Sequence, residues 1–534
     1  MPKIPINDKP TYNFSSTVSY EFEDVLNCVF SSVPNVGLAF QRRRGLIDTS
    51  GFIEIDTSIF GVVSSVTPAG SFYWKAEKKL IFALDIQASS AAGIYLFVFD
   101  TSLGTATFIN SQLGLIGHNN DVSFADGQKL DGTPVLYAAH GKMLYTDDSC
   151  ATWSFAGAGA PTDAISIAYQ NLRFFAMSQD SNKVSFTGVN PATGELDHDY
   201  WLDSDSPLSS DAKGDIGVGI YSFKRDLGVC GEEAVEFFYD DGVTPYSSIQ
   251  GSLLEVGLLA ADSLVTIDNA LYGVFVVDGL PAVGRIRNRN FENISAPIQE
   301  VLHRALPSIT EQFESRYFHA YSLPYNDTVL YVLDYGLTFG SSIFGFGGFT
   351  LVYDIKNDVW SNWVSWDSND NKFTNLVGTN GVFDLSVGAT YFLDKGSNYN
   401  YSTNRLPVLG LLKDENSLAP TLHMDDYGEP IKMIRRTLWM DHDTSKRKRV
   451  INFRLKLRRG FFSDGTVSVR YADNGSDVWS PYINIQTGPI GSKEQFIDLG
   501  PMGTYRSRRY EISCSDEIDP VIIYAEEDIE VLDS

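Results

Sequence analysis

Residues able to do chemistry are spread thinly along this chain. Its 534 residues hold seven histidines, His118, His140, His198, His303, His319, His423 and His442, and none forms an HxxxH or HExxH pair. No GxSxG nucleophile elbow and no GxxxxGK[ST] phosphate loop is present. Four cysteines, Cys28, Cys150, Cys230 and Cys514, stand far apart with no CxxC, so their spacing gives neither a disulfide framework nor a zinc site. Free thiols in a reducing cytoplasm are the reading that remains. These patterns assign no catalytic residue, no cofactor and no metal, and the chain reads as a non-enzyme.

Charge, in contrast, is concentrated. Asp197, Asp199, Asp203, Asp205, Asp211 and Asp215 crowd one stretch, which reads as a solvated loop, a channel-facing acidic loop or a calcium-binding loop. Arg42, Arg43 and Arg44 form the one early basic cluster, either a solvated turn or a docking point for an acidic neighbour. Lys446, Arg447, Lys448 and Arg449, with Arg454, Lys456 and Arg458 alternating behind them, form the strongest basic patch. It reads as an exposed hairpin turn, a partner interface or a phosphate contact. Arg285, Arg287 and Arg289 alternate along one strand, with Glu236 and Tyr239 elsewhere. A glycosidase using a tyrosine nucleophile needs an arginine cluster, an acid and that tyrosine to converge, and three arginines from one strand are a poor set.

The elements that must position these groups are strands. Hydrophobic residues make up 43% of the chain and aromatics 13%, with 45 Gly against 21 Pro, the mix of Gly-rich turns and aromatic strands typical of antiparallel sheets. Short apolar runs end repeatedly in Gly/Asp/Asn/Ser turns: 79–84, 93–100, 135–139, 173–176, 234–238, 271–276, 328–333 and 349–354. That number of strands over 51–405 favours a β-propeller, whose blades run about 40–50 residues. Before it, 1–50 reads as an N-terminal docking arm. After it, 406–430 reads as a Pro/Asp/Glu-rich connector and 431–534 as a C-terminal β-sandwich. One short helix is expected over 295–306, with Ser295 as N-cap, Pro297 in the first turn and Ile298, Val301, Leu302 and Leu306 as a core stripe. The fold class is therefore all-β: a β-propeller with a C-terminal β-sandwich domain and one short helix. The sequence opens MPKIPINDKP without the apolar core of a signal peptide, and no apolar run approaches the ~20 residues of a membrane span, so no membrane insertion is expected.

Three segments sharpen the propeller expectation. Thr146-Asp147-Asp148-Ser149-Cys150-Ala151-Thr152-Trp153 resembles the Asp box of sialidase-type propellers, with Cys150 in place of Gly. Tyr471 to Gly475 followed by Trp479 is a looser version. Val352-Tyr353-Asp354 with Trp360 and Trp363 looks like a kelch-type strand pair. In each, the Asp accepts turn amides and the Trp fills the gap between sheets.

A longer pattern is more specific. Asp215-Ile216-Gly217-Val218-Gly219-Ile220, then Arg225 to Gly231, then Val235 to Gly242 resembles a segment of the tail hub, or nozzle, proteins of short-tailed bacteriophages, including the packaged DNA stabilisation proteins. Asn35 to Leu46, Ser295 to Ile298, Arg435-Arg436, Asp473 to Gly475 and Arg506 to Arg509 follow the same family in the same order, with Arg44 where Pro is usual. The resemblance implies a structural virion protein that assembles as a ring, six copies being the expected number. The ring would lie below the portal and its adaptor ring, carry tail fibres or spikes, retain packaged DNA and conduct it during ejection. The chain would be made in the bacterial host cytoplasm and end in the virion tail. The formal charge of −26 fits a wall that DNA slides past without binding. The alternatives are a virion glycosidase of sialidase type and a carbohydrate-binding adhesin.

Overall fold

The computed structural model describes residues 3–4, 25–33, 37–100, 105–114, 121–179, 181–202, 216–241, 246–302, 318–336, 348–367, 372–395, 405–411, 425–426, 428–458, 465–487, 494–516, 518 and 520–533. The chain is mostly β-sheet. The apolar runs picked out above fall in strands, because alternating β-branched and aromatic residues can bury one or both faces while polar turn residues take the connections.

Among the described residues, successive hairpins build seven antiparallel groups of strands, called sheets below, of which the first and seventh are joined edge to edge by one parallel bridge, Phe52 to Thr105. The first holds Val63–Trp74, Lys79–Ala88, Gly93–Asp100 and Thr105–Gly114; the second, Ser123–Gln128, Pro134–His140, Lys142–Thr146 and Ser154–Phe155. The third holds Ala164–Gln170, Arg173–Ser178, Val184–Asn190 and Glu195–Leu202; the fourth, Gly217–Phe223, Asp226–Gly231, Val235–Tyr239 and Ser247–Ser248. The fifth is built on Ala270–Val277 and Leu280–Arg287, and the sixth holds Phe318–Tyr325, Thr328–Gly336, Gly348–Asp354 and Val359–Asn362. The seventh is composite. Gly378–Asp384, Ala389–Asp394 and Arg405–Leu411 are completed by Ile47–Glu54 from the far end of the chain, in the register Leu406 to Ile53.

The starts of neighbouring sheets touch. Ser71 Oγ donates to the Asn380 carbonyl (2.7 Å), Val122 N to Ala69 O (2.8 Å), Ile167 N to Ser123 Oγ (3.1 Å) and Ile220 N to Ser166 Oγ (3.1 Å). Gly219 faces Leu258 and Ala261 so closely that a Cβ there would lie 3.0 Å from Leu258. Gly381 lies against the Tyr321 ring, itself edge-on to Phe392 at 5.8 Å. Trp360 fills the space between the fifth and sixth sheets and donates its indole N–H to Ile294 O (2.9 Å).

The C-terminal residues build two further sheets around a shared core. One orders Cys28–Val33, Gly37–Arg42, Val521–Val531, Lys448–Arg458 and Glu494–Asp498. The other orders Val25–Leu26, Met433–Arg436, Arg508–Cys514, Thr466–Asp473 and Ile483–Gln486, and continues through Leu26 into the sixth sheet beside Asn362. Phe30, Phe40, Phe453, Leu455, Leu457, Val467, Val469, Tyr510 and Ile512 fill the space between them.

This corrects two boundaries. The described residues of 1–50 are not a separate arm: Cys28–Val33 and Gly37–Arg42 are strands of the C-terminal unit, and Ile47–Glu54 is a strand of the seventh sheet. Nor does a connector begin at 406, since Arg405–Leu411 is ladder-bonded on both sides. Both segments look irregular in sequence because their partners lie hundreds of residues away. The helix is present as a 3₁₀ turn at Ala296–Ile298 continuing helically to 302, with Ile298 and Leu302 buried; residues 303–306 lie outside the described residues. Ser295 makes no side-chain cap; Asn293 Oδ1 accepts its backbone N–H instead (2.8 Å).

The basic cluster at 42–44 is the joint of the whole. Arg42 and Arg43 are buried. Arg42 donates to the carbonyls of Ile431 (3.0 Å) and Ile518 (2.6 Å). Arg43 forms a two-pronged ion pair with Asp426 (2.8 Å on one prong) and donates to Asn27 Oδ1 (2.8 Å) and Val364 O (2.9 Å). Arg44 lies over the Tyr325 ring and donates to Asn326 (3.2 Å). Buried in this way, Arg42 and Arg43 are neither a solvated turn nor an open docking point, while Arg44 is half-buried. Replacing Arg43 by Met leaves the Asp426 carboxylate buried without its cation, so denaturant unfolding of R43M is expected to show a loss of about 3–5 kcal/mol.

Candidate functional site

In the C-terminal basic patch Lys446, Arg447 and Arg449 are exposed, as an exposed turn would have them, and Lys448 is the exception. Lys448 is fully buried, and its Nζ donates to the carbonyls of Thr444 (2.7 Å), Lys446 (3.0 Å) and Arg506 (2.5 Å), closing the turn from inside. Arg447 donates to Thr504 Oγ1 (2.9 Å), Arg449 pairs with Glu530 (3.3 Å), and Lys446 lies 3.9 Å from Asp533. Behind them, Arg454 pairs with Asp498 (2.7 Å) and Glu526 (3.3 Å), and Lys456 and Arg458 share Glu494 at 2.9 and 3.6 Å. The alternation that suggests a basic face in sequence is a ladder of cross-strand ion pairs.

Of the acidic stretch, Asp197 and Asp199 lie on the strand Glu195–Leu202, not on a loop; Asp203, Asp205, Asp211 and Asp215 lie outside the described residues. Asp199 Oδ1 accepts from Tyr137 OH (3.2 Å) and Gly157 N (2.7 Å), and so ties the third sheet to the second. Asp197 accepts from Asn190 Nδ2 (3.0 Å) and the Asp199 N–H (3.0 Å). Both are engaged as structural acceptors.

Arg285 and Arg289 are taken up by different carboxylates, and the one that holds Arg289, Asp226, is the ladder partner of Tyr239. Arg285 is held by Glu292 on the next strand (2.8 Å), and Arg289 by Asp226 of the fourth sheet (2.7 Å). The Asp-box turn is formed. Asp148 accepts from Thr146 Oγ1 and Thr152 N, both at 2.9 Å, and despite slight burial the Thr152 and Thr146 hydrogen bonds hold its carboxyl below the usual range. Cys150 adopts φ 68°, the left-handed conformation that Gly would take most easily. Asp354 works alike, accepting from Thr328 Oγ1 (2.8 Å) and from the amides of Lys356 and Asn357 (3.1 Å each).

The cluster that sequence patterns miss lies where the sheet starts meet. His319, at the start of the sixth sheet, has Nδ1 2.7 Å from Asp121 Oδ2 just ahead of the second. Asp121 N donates to Asp262 Oδ2 in the fifth (2.8 Å), and Asn380 of the seventh donates to Asp121 (3.5 Å). Opposite His319 on the neighbouring strand, Asp334 accepts from Lys395 Nζ (2.7 Å) and Thr350 Oγ1 (2.9 Å). Burial alone would lower the imidazole, but the Asp121 hydrogen bond and charge, with Asp262 and Asp334 behind it, hold it at about 9. Burial, then the nearby Asp121, raise the Asp262 carboxyl. Among the described residues no three His, Cys, Asp or Glu side chains are arranged to hold a metal ion. The arrangement can store a proton and bridge four sheets; it presents no nucleophile. Each partner is remote in sequence, so no local spacing signals it.

No family model matches the chain, and no curated protein matches it. Loose likenesses to solved structures exist. The extracellular domain of a hybrid two-component system from B. thetaiotaomicron is 12% identical with a TM-score of 0.38, covering 68% of this chain, which spans 39% of that one. The computationally designed Ika8 protein is 10% identical with a TM-score of 0.32, covering 67% of this chain and 99% of that one. An exo-β-1,3-galactanase from Phanerochaete chrysosporium is 9% identical with a TM-score of 0.26, covering 86% and 94%. Scores this low assign neither fold nor function.

The proton stored at His319 has a signed consequence. A folded value of about 9, above the ordinary 6.5, gives stability that is complete below about pH 6.5 and is lost as pH rises towards 9. Asp262 has the same sign over a lower window, its contribution being lost as pH rises from its ordinary 3.8 through about 7. Between pH 6.5 and 9 the thermal midpoint is expected to fall, the His319 contribution being at most about 3–4 kcal/mol of stability, and His319→Gln is expected to flatten that part of the profile.

Proposed function

We propose that the seven sheets are the blades of one β-propeller and that the two C-terminal sheets form a β-sandwich joined to it by the N-terminal segment. The chain as a whole would be a structural subunit of a short-tailed phage tail: the nozzle or hub ring that retains packaged DNA and conducts it during ejection. Support for the propeller is the unbroken run of contacts from the start of each sheet to the next, returning from the seventh to the first through Ser71 and Asn380. Ile47–Glu54 then completes the last blade with the outer strand it otherwise lacks.

The observation that carries the tail reading is the fourth sheet. The stretch most similar to tail hub proteins supplies its adjacent strands Gly217–Phe223, Asp226–Gly231 and Val235–Tyr239. Its glycines have packing reasons. A Cβ at Gly217 would meet the Met177 thioether at 2.6 Å, one at Gly228 the Tyr221 ring at 2.3 Å, and Gly219 faces the fifth sheet. The shared pattern is therefore an architectural one, which suits a scaffold more than a catalyst. Charge supports it too. With Arg42, Arg43 and Lys448 buried, and Arg449, Arg454 and Arg458 each paired with a carboxylate, a chain of charge −26 has little unpaired cationic surface here with which to grip phosphate.

In this reading the mechanism is geometric and electrostatic. A ring of six copies, docked on the portal adaptor and bearing fibres or spikes, presents an acidic wall along which DNA slides. Size measurement by light scattering, on the chain alone and with its adaptor, is expected to give six chain masses in at least one of the two. A stable monomer in both, or purified protein that cleaves host polysaccharide, overturns the reading.

A further inference from the structure

The second C-terminal sheet keeps one face for the core and turns the other outward. Tyr510, Ile512 and Cys514 alternate inward from Arg508–Cys514, as do Val467 and Val469 from Thr466–Asp473, and Ile485 from Ile483–Gln486. The period-two rule then places Ser513, Thr466, Ser468 and Asn484 on the opposite face. Register sets three of them in a row across the strands: Ser513 opposite Ser468, and Ser468 opposite Asn484. There the surface dips into a cavity of about 210 Å³, completed by Lys432, Ser515 and Asp516.

The lining selects its ligand chemistry. Hydroxyls of Thr466, Ser468, Ser513 and Ser515 can each donate and accept, and the Asn484 carboxamide offers both kinds of group. Ser468 Oγ donates to Asn484 Oδ1 (2.9 Å), which leaves the Asn484 NH₂ to meet an acceptor. Asp516 Oδ2 receives Thr466 N (2.8 Å), so one further oxygen remains on that carboxylate. Lys432 and Asp516 cancel in charge, and the Lys432 ammonium already lies 5.1 Å over the Trp366 ring, which argues against a phosphate site. A wall almost without aliphatic groups argues against a lipid. Two positions from Asn484 on the same face, the Tyr482 ring is 41% exposed; the Arg470 guanidinium lies 4.6 Å from its centroid, and the ring edge remains beside the polar floor.

We propose that this cavity binds one neutral hexose residue of a glycan, its hydroxyl pairs met by Ser468, Asn484 and Asp516 and one ring face laid towards Tyr482. The volume lies below the roughly 300–1,000 Å³ of drug-sized ligand sites, which matches a single sugar ring. This site does not depend on how the chain assembles.

Saturation-transfer NMR on the full chain with glucose, galactose, mannose and N-acetylglucosamine tests it, with inorganic phosphate as a separate probe. At least one sugar is expected to show transfer with Kd near ~1 mM, the weak regime of a single shallow site. Asn484→Ala and Ser468→Ala should each weaken it about tenfold while leaving the thermal midpoint in place. Absence of transfer from all four sugars, unchanged binding in both variants, or binding of phosphate in place of sugar overturns the proposal.

Discussion

Arg43 is the side chain through which the parts of this molecule are made one. Its guanidinium takes Asp426 in two prongs, reaches Asn27 and Val364, and lies 5.5 Å from the Trp363 ring. Asp426 completes the arrangement by accepting from Leu46 N (3.1 Å) and Ser365 Oγ (2.7 Å). A planar five-donor group suits this role better than an ammonium, because it can serve several acceptors in fixed directions at once. An ion pair buried this deeply is stable only when its remaining donors and lone pairs are satisfied, so the Asn27 turn, the start of Val364–Asp367 and the short strand Asp425–Asp426 must all be in place together. With Arg42 fastened to Ile431 and Ile518, one dipeptide links the sixth sheet, the strand that completes the seventh, and both C-terminal sheets.

The same economy of charge recurs in the C-terminal unit. Glu511 is fully buried and accepts from Arg436 (2.7 Å), Arg470 (2.7 Å) and Tyr482 (2.8 Å), while Trp479 lies within 5.3 Å of the guanidinium carbons of Arg436, Arg470 and Arg509. Glu527 is likewise buried, receiving Tyr505 (2.9 Å), Tyr510 (2.7 Å) and His442; burial opposes its ionisation, but the His442, Tyr510 and Tyr505 hydrogen bonds keep the carboxyl below its ordinary range. These carboxylates are held by full sets of donors, which is what permits charge at such depth. Of the residues that make the C-terminal third look basic in sequence, Arg435, Arg436, Lys448, Arg508 and Arg509 are buried, while Lys446, Arg447, Arg449 and Arg458 stay on the surface.

Strand positions were legible because their signal is local. The alternation at Val450–Leu457, the run at 93–100 and the Asp-turns at Asp148 and Asp354 are each encoded within a few residues, and the structure forms each. The site residues were less legible because their meaning depends on remote partners. Arg43 meets Asp426 383 positions later, so an arginine run flanked by Gly reads as an exposed turn. Lys448 differs from its neighbours only in facing inward, and simple alternation from Phe453, Leu455 and Leu457 would have put it outward; a β-bulge between Val450 and Asn452 shifts the parity. His319 looks like any lone histidine until the start of the second sheet brings Asp121 beside it. The polar row Ser513–Ser468–Asn484 is invisible along the chain, since register across three strands creates it.

The strand Ile47–Glu54 has a consequence for how the chain comes to be folded. It emerges early in synthesis, yet its ladder partner Arg405–Leu411 follows only some 350 residues later. Cys28–Val33 and Gly37–Arg42 can pair with each other at once, but the outer edge of the second waits longer still, for Val521–Val531. Each intervening hairpin can close on local contacts, but the seventh sheet and the C-terminal core require loops of hundreds of residues to close before their contacts exist. This topology is expected to fold by early local hairpins and a later closure that draws in both ends. Until then the early strand has only the single Phe52–Thr105 bridge on one side, and its other edge is open to neighbours on the same message.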